Sequence, residues 1–328
     1  MGKLNSRNVS VSVCIVTFNS AKFIEQCLSA LNKQTNITFN ICIVDNASTD
    51  STCSIIETFL SKQQNISLIR NQYNNGFAGG QNQAIRNSRS NYVLVLNPDV
   101  MLGNNYIAEL VRVLEKDSLI GSATGQLVYA HDPSIIDSTG LVINFLRQAR
   151  DRGVGELAEH WMKAGTVFGV SGAASLYART MIEDISIDGD FFDEQFFAYK
   201  EDVDVAWRAQ KLGWKAYYEP SAQAIHARGW KQGSRSTIPL FVRQHSYMNR
   251  FFTLIKNEEI GLKLLFRLPA IAVYEMLKLA YVLVREPSLL KCLPVFLRQV
   301  PDMKFKRKAI HRKVSARRLE KRGQKQIK

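Results

Sequence analysis

VSVCIVTFNSAKFIEQCLSALNKQTNITFNICIVDNASTD, residues 11–50, decides the fold. Val11 to Thr17 is a β-branched run, Ala21 to Asn32 carries Phe23, Cys27 and Leu31 at helical spacing, and Phe39 to Val44 is apolar again. The same alternation continues. Asp50 stands as the N-cap of a helix running through Leu60, a strand follows at Ile66 to Ile69, a helix from Ala78 to Ser88, and a strand at Tyr92 to Leu96. The order β-α-β-α-β-α-β predicts an α/β fold, a Rossmann-like, mostly parallel sheet flanked by helices, with ligands beyond the carboxyl ends of the strands.

Those strand ends are polar. Asn19 follows the first, Asp45-Asn46-Ala47-Ser48 the second, Asn71 and NNGFAGGQN the third, and Asn97-Pro98-Asp99 the fourth. Turn chemistry alone favours Asn, Asp and Gly there. Four in succession, two bearing a carboxylate after a wholly apolar strand, point to a site. Asp45 costs several kcal/mol to bury unless something donates hydrogen bonds to it. A nucleotide base is one such partner, and an Asx turn leading to Asp50 is the other. The glycine-rich stretch permits close backbone approach and a helix start that favours anions, and a flexible turn into a helix explains it almost as well.

The second half is less regular. Phe168 to Tyr177 reads as one or two strands, Ala178 to Ile185 as a short helix, Asp202 to Leu212 as a helix stopped by Gly213, and Lys215 to Tyr218 and Ala222 to His226 as strands. Val128 to Lys163 lacks periodicity and is expected to form a loop over the site. Glu201, Asp202 and Asp204 gather at the mouth of the helix, where carboxylates also serve as caps. Asp204 lies four residues before Arg208 and is expected to form an ion pair on the helix surface.

At 328 residues and 46% hydrophobic the chain can bury a full core. Its five cysteines are odd in number and lack CxxC pairing, which argues against a disulfide scaffold or a zinc knuckle. Residues 304–328 hold twelve Lys or Arg and one Glu, so the rest of the chain is close to neutral despite a net charge of +14. A basic tail on a balanced body suits a partner surface, and no nucleic acid is expected. Ile260 to Val284 is apolar but broken by charges, which fits an interfacial helix better than a spanning one. The first apolar stretch is too short for a signal peptide, so the N-terminus is expected in the cytosol.

VSVCIVTFN (11–19), IVDNASTDST (43–52), NNGFAGGQNQAI (74–85), VLVLNPDV (93–100), VSGAASLYAR (170–179) and FFAYKEDVDVAWRAQKLGWKAYYEPSAQAIH (196–226) together resemble the inverting family-2 glycosyltransferases, and within them the rhamnosyltransferase-like enzymes of bacterial surface polysaccharide synthesis. The resemblance spans roughly residues 9 to 230. It implies a glycosyltransferase A type domain over 1–235, with a nucleotide-sugar half (about 9–125) and an acceptor half (126–235). A helical membrane-associating extension (236–303) and the basic tail (304–328) would follow, peripheral on the inner face of the cell membrane.

The resemblance implies a nucleotide-diphospho-sugar donor bound by Thr17, Asn19, Asp45, Asn46, Gly76, Ala78, Asn82 and Asn97. It implies Mg²⁺ or Mn²⁺ held by Asp99 and His226, although many relatives place two aspartates where this chain has Asn97-Pro98-Asp99. Asp202 becomes the base and Glu201 its helper. The donor implied is dTDP-rhamnose, with a UDP-hexose or galactofuranose donor as the alternative, and the acceptor a lipid-linked saccharide. A nucleotide-sugar-binding protein without catalysis is the rival reading.

Overall fold

The computed structural model describes residues 9–228 and 238–326; the expected domain boundary at 235 and the first eight residues lie outside them. The first half forms β1 (Val11–Thr17), α1 (Ile24–Leu31), β2 (Phe39–Asp45), α2 (Thr52–Leu60), β3 (Ile66–Arg70), α3 (Gly76–Arg86) and β4 (Tyr92–Leu96). Strands β3, β2, β1 and β4 lie side by side and parallel, with Thr17 opposite Asp45 and Asp45 opposite Arg70. Their carboxyl ends therefore share one edge.

Beyond β4 come β5 (Val100–Leu102), α4 (Tyr106–Lys116) and β6 (Ile120–Tyr129). Neither α4 nor β6 is anticipated by the sequence reading. Strand β6 is central, yet its Ser122, Thr124, Gly125 and Gln126 look like loop residues. A Cβ on Gly125 would lie 2.0 Å from the carbonyl oxygen of Ala222, so only glycine fits beneath the neighbouring strand. The expected loop over 128–163 contains β7 (Ile136–Ser138) and the hairpin of β8 (Leu141–Ile143) and β9 (Ala149–Asp151).

Next are β10 (Gly165–Val167), β11 (Ala174–Ala178), α5 (Arg179–Ile185), α6 (Glu201–Lys211) and β12 (Lys215–His226). Strand β11 runs antiparallel between β4 and β6, so the sheet is parallel in its first half and mixed in its second. The two short strands expected at 215–226 are one, shifted in register between Glu219 and Gln223. All five cysteines are free.

Helices α7 (Leu240–Asn257), α8 (Leu262–Arg285) and α9 (Leu293–Gln326) complete the described chain. Among the described residues no helix is long and apolar enough to cross a membrane. The boundary expected at 303/304 falls inside α9, and the basic segment is not a free tail. Lys306 bonds Asp193, Arg307 the Ile255 carbonyl, Lys313 the carbonyls of Asp184 and Ser186, and Arg317 Asp184 and the Leu212 carbonyl. Ile310 and Val314 join the main core.

The join between the extension and the sheet domain is ionic and dry. Asp204 is wholly buried rather than on the helix surface. It accepts from Arg208 Nε at 2.9 Å, Lys256 Nζ at 2.8 Å and Asn257 Nδ2 at 2.7 Å. Lys256 also donates to Asp193 at 2.7 Å, and Arg208 to the carbonyls of Ile185 and Phe191. Burial opposes ionisation of Asp193 and Asp204, but the neighbouring cations outweigh it and hold both carboxyls below the usual range.

Removing one partner of a buried ionic cluster leaves an uncompensated charge, so Lys256→Met should destabilise the fold by about 3–5 kcal/mol in urea denaturation. Both carboxyls release protons more readily folded than unfolded. Their stabilisation is therefore complete above the ordinary Asp value of about 4 and lost as pH falls towards their depressed values. Wild-type stability should drop over that acid range, and more steeply than in Lys256→Met.

Candidate active site

Register brings the first pair of site residues together. His226 ends β12 opposite Val100, and the Ala227 N–H donates to the Asp99 carbonyl, which sets Asp99 beside the imidazole. His226 Nε2 lies 3.3 Å from Asp99 Oδ1, while Nδ1 lies 2.7 Å from Asp137 Oδ2. Burial lowers the His226 pKa, but its hydrogen bonds and the charges of Asp137 and Asp99 outweigh this and push it up to about 9. Arg228 spans Asp137 and Asp151.

A carboxylate oxygen and an imidazole nitrogen thus converge, with the ring oriented from behind by a second carboxylate. This donor pair fits Mg²⁺ or Mn²⁺ if diphosphate and water complete the shell. Among the described residues no three His, Cys, Asp or Glu gather to hold an ion by themselves.

Glu201 and Asp202 open α6 on the facing wall of the same cleft, which encloses about 390 Å³ and is also lined by Asn97, Asp99, Asp151, Lys200, His226 and Arg228. Asp202 Oδ2 accepts from the Gly172 N–H at 3.1 Å and Oδ1 from the Val203 N–H at 2.8 Å. Burial raises the Asp202 pKa, with the Asp151 charge adding to it against the Gly172 bond. Glu201 is pushed well above the carboxylate range by burial and then by Asp202, and its Oε2 is buried without a hydrogen-bond partner. Both carboxyls thus hold their protons more tightly than ordinary carboxylates, Glu201 the more so.

The backbone leading to this pair is strained. Phe197, Tyr199 and Lys200 have φ of 60°, 71° and 69°, at a cost of about 1–3 kcal/mol each. Phe197 centres a γ-turn closed by the Ala198 N–H on the Phe196 carbonyl at 2.6 Å. Two distant parts hold the turn. The Ala78 N–H donates to the Phe197 carbonyl at 3.0 Å, and a Cβ on Gly76 (φ +74°) would collide with that oxygen. From α7, buried Asn249 reaches the carbonyls of Phe196, Ala198 and Tyr199 at 2.7–2.9 Å.

The nucleotide-side residues fare differently. Asp45 is buried and accepts from Thr17 Oγ1 at 2.7 Å and from the Ser48 N–H and Oγ, so its own loop satisfies it. Asn19 is exposed and accepts from the Thr49 N–H, whereas buried Asn46 bonds Asn71 and the Gly76 carbonyl. Ala78 and Asn82 are buried, and Asn82 exchanges hydrogen bonds with the Phe192 backbone, bracing the segment before α6. Asp137, Asp151, Lys200, Arg228 and Asn249 escape the sequence reading.

Asn249→Ala frees three carbonyls of the strained turn and lets Glu201 and Asp202 drift. A misplacement of this kind costs about 10²-fold in kcat. Steady-state kinetics should show that loss with little change in nucleotide affinity; equal losses in both would make Asn249 merely structural.

Residues 12–185 match the family model described as glycosyl transferase family 2. Over 244 residues the chain is 26% identical to an N-acetylglucosaminyl-diphospho-decaprenol L-rhamnosyltransferase of Mycobacterium tuberculosis, covering 67% of this chain and 77% of that protein. It is 22% identical over 212 residues to a poly-beta-1,6-N-acetyl-D-glucosamine synthase of Staphylococcus epidermidis, covering 65% of this chain and 48% of that one. The structure of mannosyltransferase PcManGT from Pyrobaculum calidifontis in complex with GDP-Man and Mn²⁺ shares the fold, with a TM-score of 0.56 at 16% identity over 94% of this chain and 86% of that one. The parallel strand edge, the carboxylate cleft and the family match agree, and the chain belongs to glycosyltransferase family 2.

Proposed function

We infer that the chain transfers a sugar with inversion from a nucleotide diphosphate, with dTDP-rhamnose as donor, to a lipid-linked saccharide of a cell-surface polysaccharide. One observation carries this reading: Asp202 and Glu201 face Asp99 and His226 across a single cleft at the strand edge. The rhamnose donor and the lipid-linked acceptor are supported by the likeness to the mycobacterial rhamnosyltransferase.

In this reading the nucleotide lies along Thr17, Asn19, Asp45, Asn46 and Asn97, and the diphosphate reaches Asp99 and His226. Asp99 and His226 would hold Mg²⁺ or Mn²⁺ there, and the ion would neutralise charge on the departing diphosphate. Asp202 accepts the proton of the acceptor hydroxyl as that oxygen bonds to the anomeric carbon and the bond to the diphosphate oxygen breaks on the opposite face. Burial raises the Asp202 pKa, which strengthens it as a proton acceptor for this step. Glu201 beside it orients the acceptor. The apolar side of α8 supports a peripheral position on the cytosolic face of the membrane.

Asp202→Asn should lower kcat by about 10²–10⁴-fold in a transfer assay while nucleotide binding by calorimetry persists. A donor panel of dTDP-rhamnose and UDP-sugars over membrane extract, with and without chelator, tests the rest. Turnover of dTDP-rhamnose that chelation abolishes is expected. Binding without turnover for every donor would sink the enzyme reading.

A further inference from the structure

The catalytic cleft continues past Lys200. A second cleft of about 470 Å³ shares Tyr199, Lys200 and Arg228 with it and runs between α7, the β8–β9 hairpin and α8. Lys200, Arg228, Arg243, Arg250 and Lys278 line it, and no carboxylate does. Most of these cations are already engaged. Arg228 is offset by Asp137 and Asp151, Arg243 by Glu286 and Arg250 by Glu275, and Lys278 sits over the Tyr247 ring.

Lys200 is different: its side chain is half-buried, makes no hydrogen bond among the described residues, and feels the charges of Asp202 and Glu201 on the catalytic side of the junction. Its left-handed backbone is held in place by the clamped turn, so the ammonium is delivered to the junction of the two clefts by design of the loop rather than by a partner of its own. A partly desolvated cation whose ammonium makes no hydrogen bond, at the end of a groove lined by basic side chains, is a seat for an anion.

The far end of the groove sets what kind of anion. Tyr274 and Lys278 belong to α8, and on the same helix Leu262, Phe266 and Val284 are 75%, 81% and 78% exposed. Leu277, beside Lys278, is exposed as well. A free sugar phosphate has no use for such a surface. An anion attached to a lipid does, because its chain gains about 0.8 kcal/mol per buried CH₂ along an interfacial helix or in the bilayer beneath it.

We propose that the second cleft binds the diphosphate of the lipid-linked acceptor, with Lys200 as the contact nearest the catalytic carboxylates and the lipid leaving across the apolar side of α8. The proposal rests on the lipid-linked acceptor of the preceding reading. It explains why Lys200 immediately precedes Glu201 and Asp202: the saccharide joined to that diphosphate begins beside the base that must deprotonate it.

The test uses the full chain and no sugar donor. Cosedimentation is measured with vesicles containing a polyprenyl diphosphate, with vesicles of phosphatidylglycerol at matched surface charge, and with inorganic pyrophosphate as competitor. The wild type should prefer diphosphate-lipid vesicles by roughly tenfold, with inorganic pyrophosphate erasing the preference. Ser246→Trp, which fills the groove from α7, and Lys200→Met should each abolish it, thermal melting reporting that both remain folded. Equal binding to the two vesicles, or a preference that survives both substitutions, would overturn the proposal. A preference without sugar transfer would keep this cleft and reject the transferase reading; transfer without a preference would do the reverse.

Discussion

The buried ionic cluster around Asp204 is the constraint on which the remaining architecture depends. Two carboxylates, Asp193 and Asp204, sit in the interior on either side of the turn that leads to Glu201 and Asp202, and Lys256 of α7 bridges the two. Such a cluster adds little net stability over an apolar core of the same shape, but it tolerates no slippage, because each displaced charge loses its partner in a medium that does not screen it. It therefore fixes the angle and register at which the C-terminal helices meet the sheet domain. Asn249, two turns earlier on the same helix, is thereby placed against the strained turn.

The carboxylate cleft is consequently assembled from parts far apart in sequence. The residue before β5 and the end of β12 supply Asp99 and His226, β7 and β9 supply Asp137 and Asp151, and α6 supplies Glu201 and Asp202. The strain at Phe197, Tyr199 and Lys200 is maintained because α3 from one side and α7 from the other satisfy the carbonyls that the turn exposes. The sheet edge supplies one wall of the cleft, and the extension determines where Glu201 and Asp202 stand relative to it.

The first four strands and three helices are legible in the sequence because β-branched runs and apolar spacing report local preference and burial together. Strand β6 is hidden because its neighbours press so closely that Ser, Thr and Gly replace the usual bulky residues. Asp99, His226, Glu201 and Asp202 are recognisable from motif order. Asp137 and Asp151 are not, since their meaning comes from Arg228 and His226, which lie some eighty residues onward. Asp204 shows the limit most clearly. An Asp four residues before an Arg reads alike on a wet helix face and in a dry core, and only Lys256, 52 residues away, separates the two. Asn82 braces the Phe192 backbone, a role the sequence does not announce because polar residues near a glycine-rich turn serve scaffold and ligand by the same chemistry.

The wiring between early carboxylates and late lysines also bears on biosynthesis. Asp193 and Asp204 leave the ribosome well before Lys256, and Lys306 follows later still. A nascent chain with a complete sheet but without α7 leaves Asp193 without its lysines and Asp204 with Arg208 as its remaining cation. The Glu201–Asp202 pair is then carried on a turn that lacks its Asn249 clamp. Synthesis itself thus imposes an order: the parallel half of the sheet can form while the chain is still growing, whereas the carboxylate cleft takes its final shape only when the helical extension arrives.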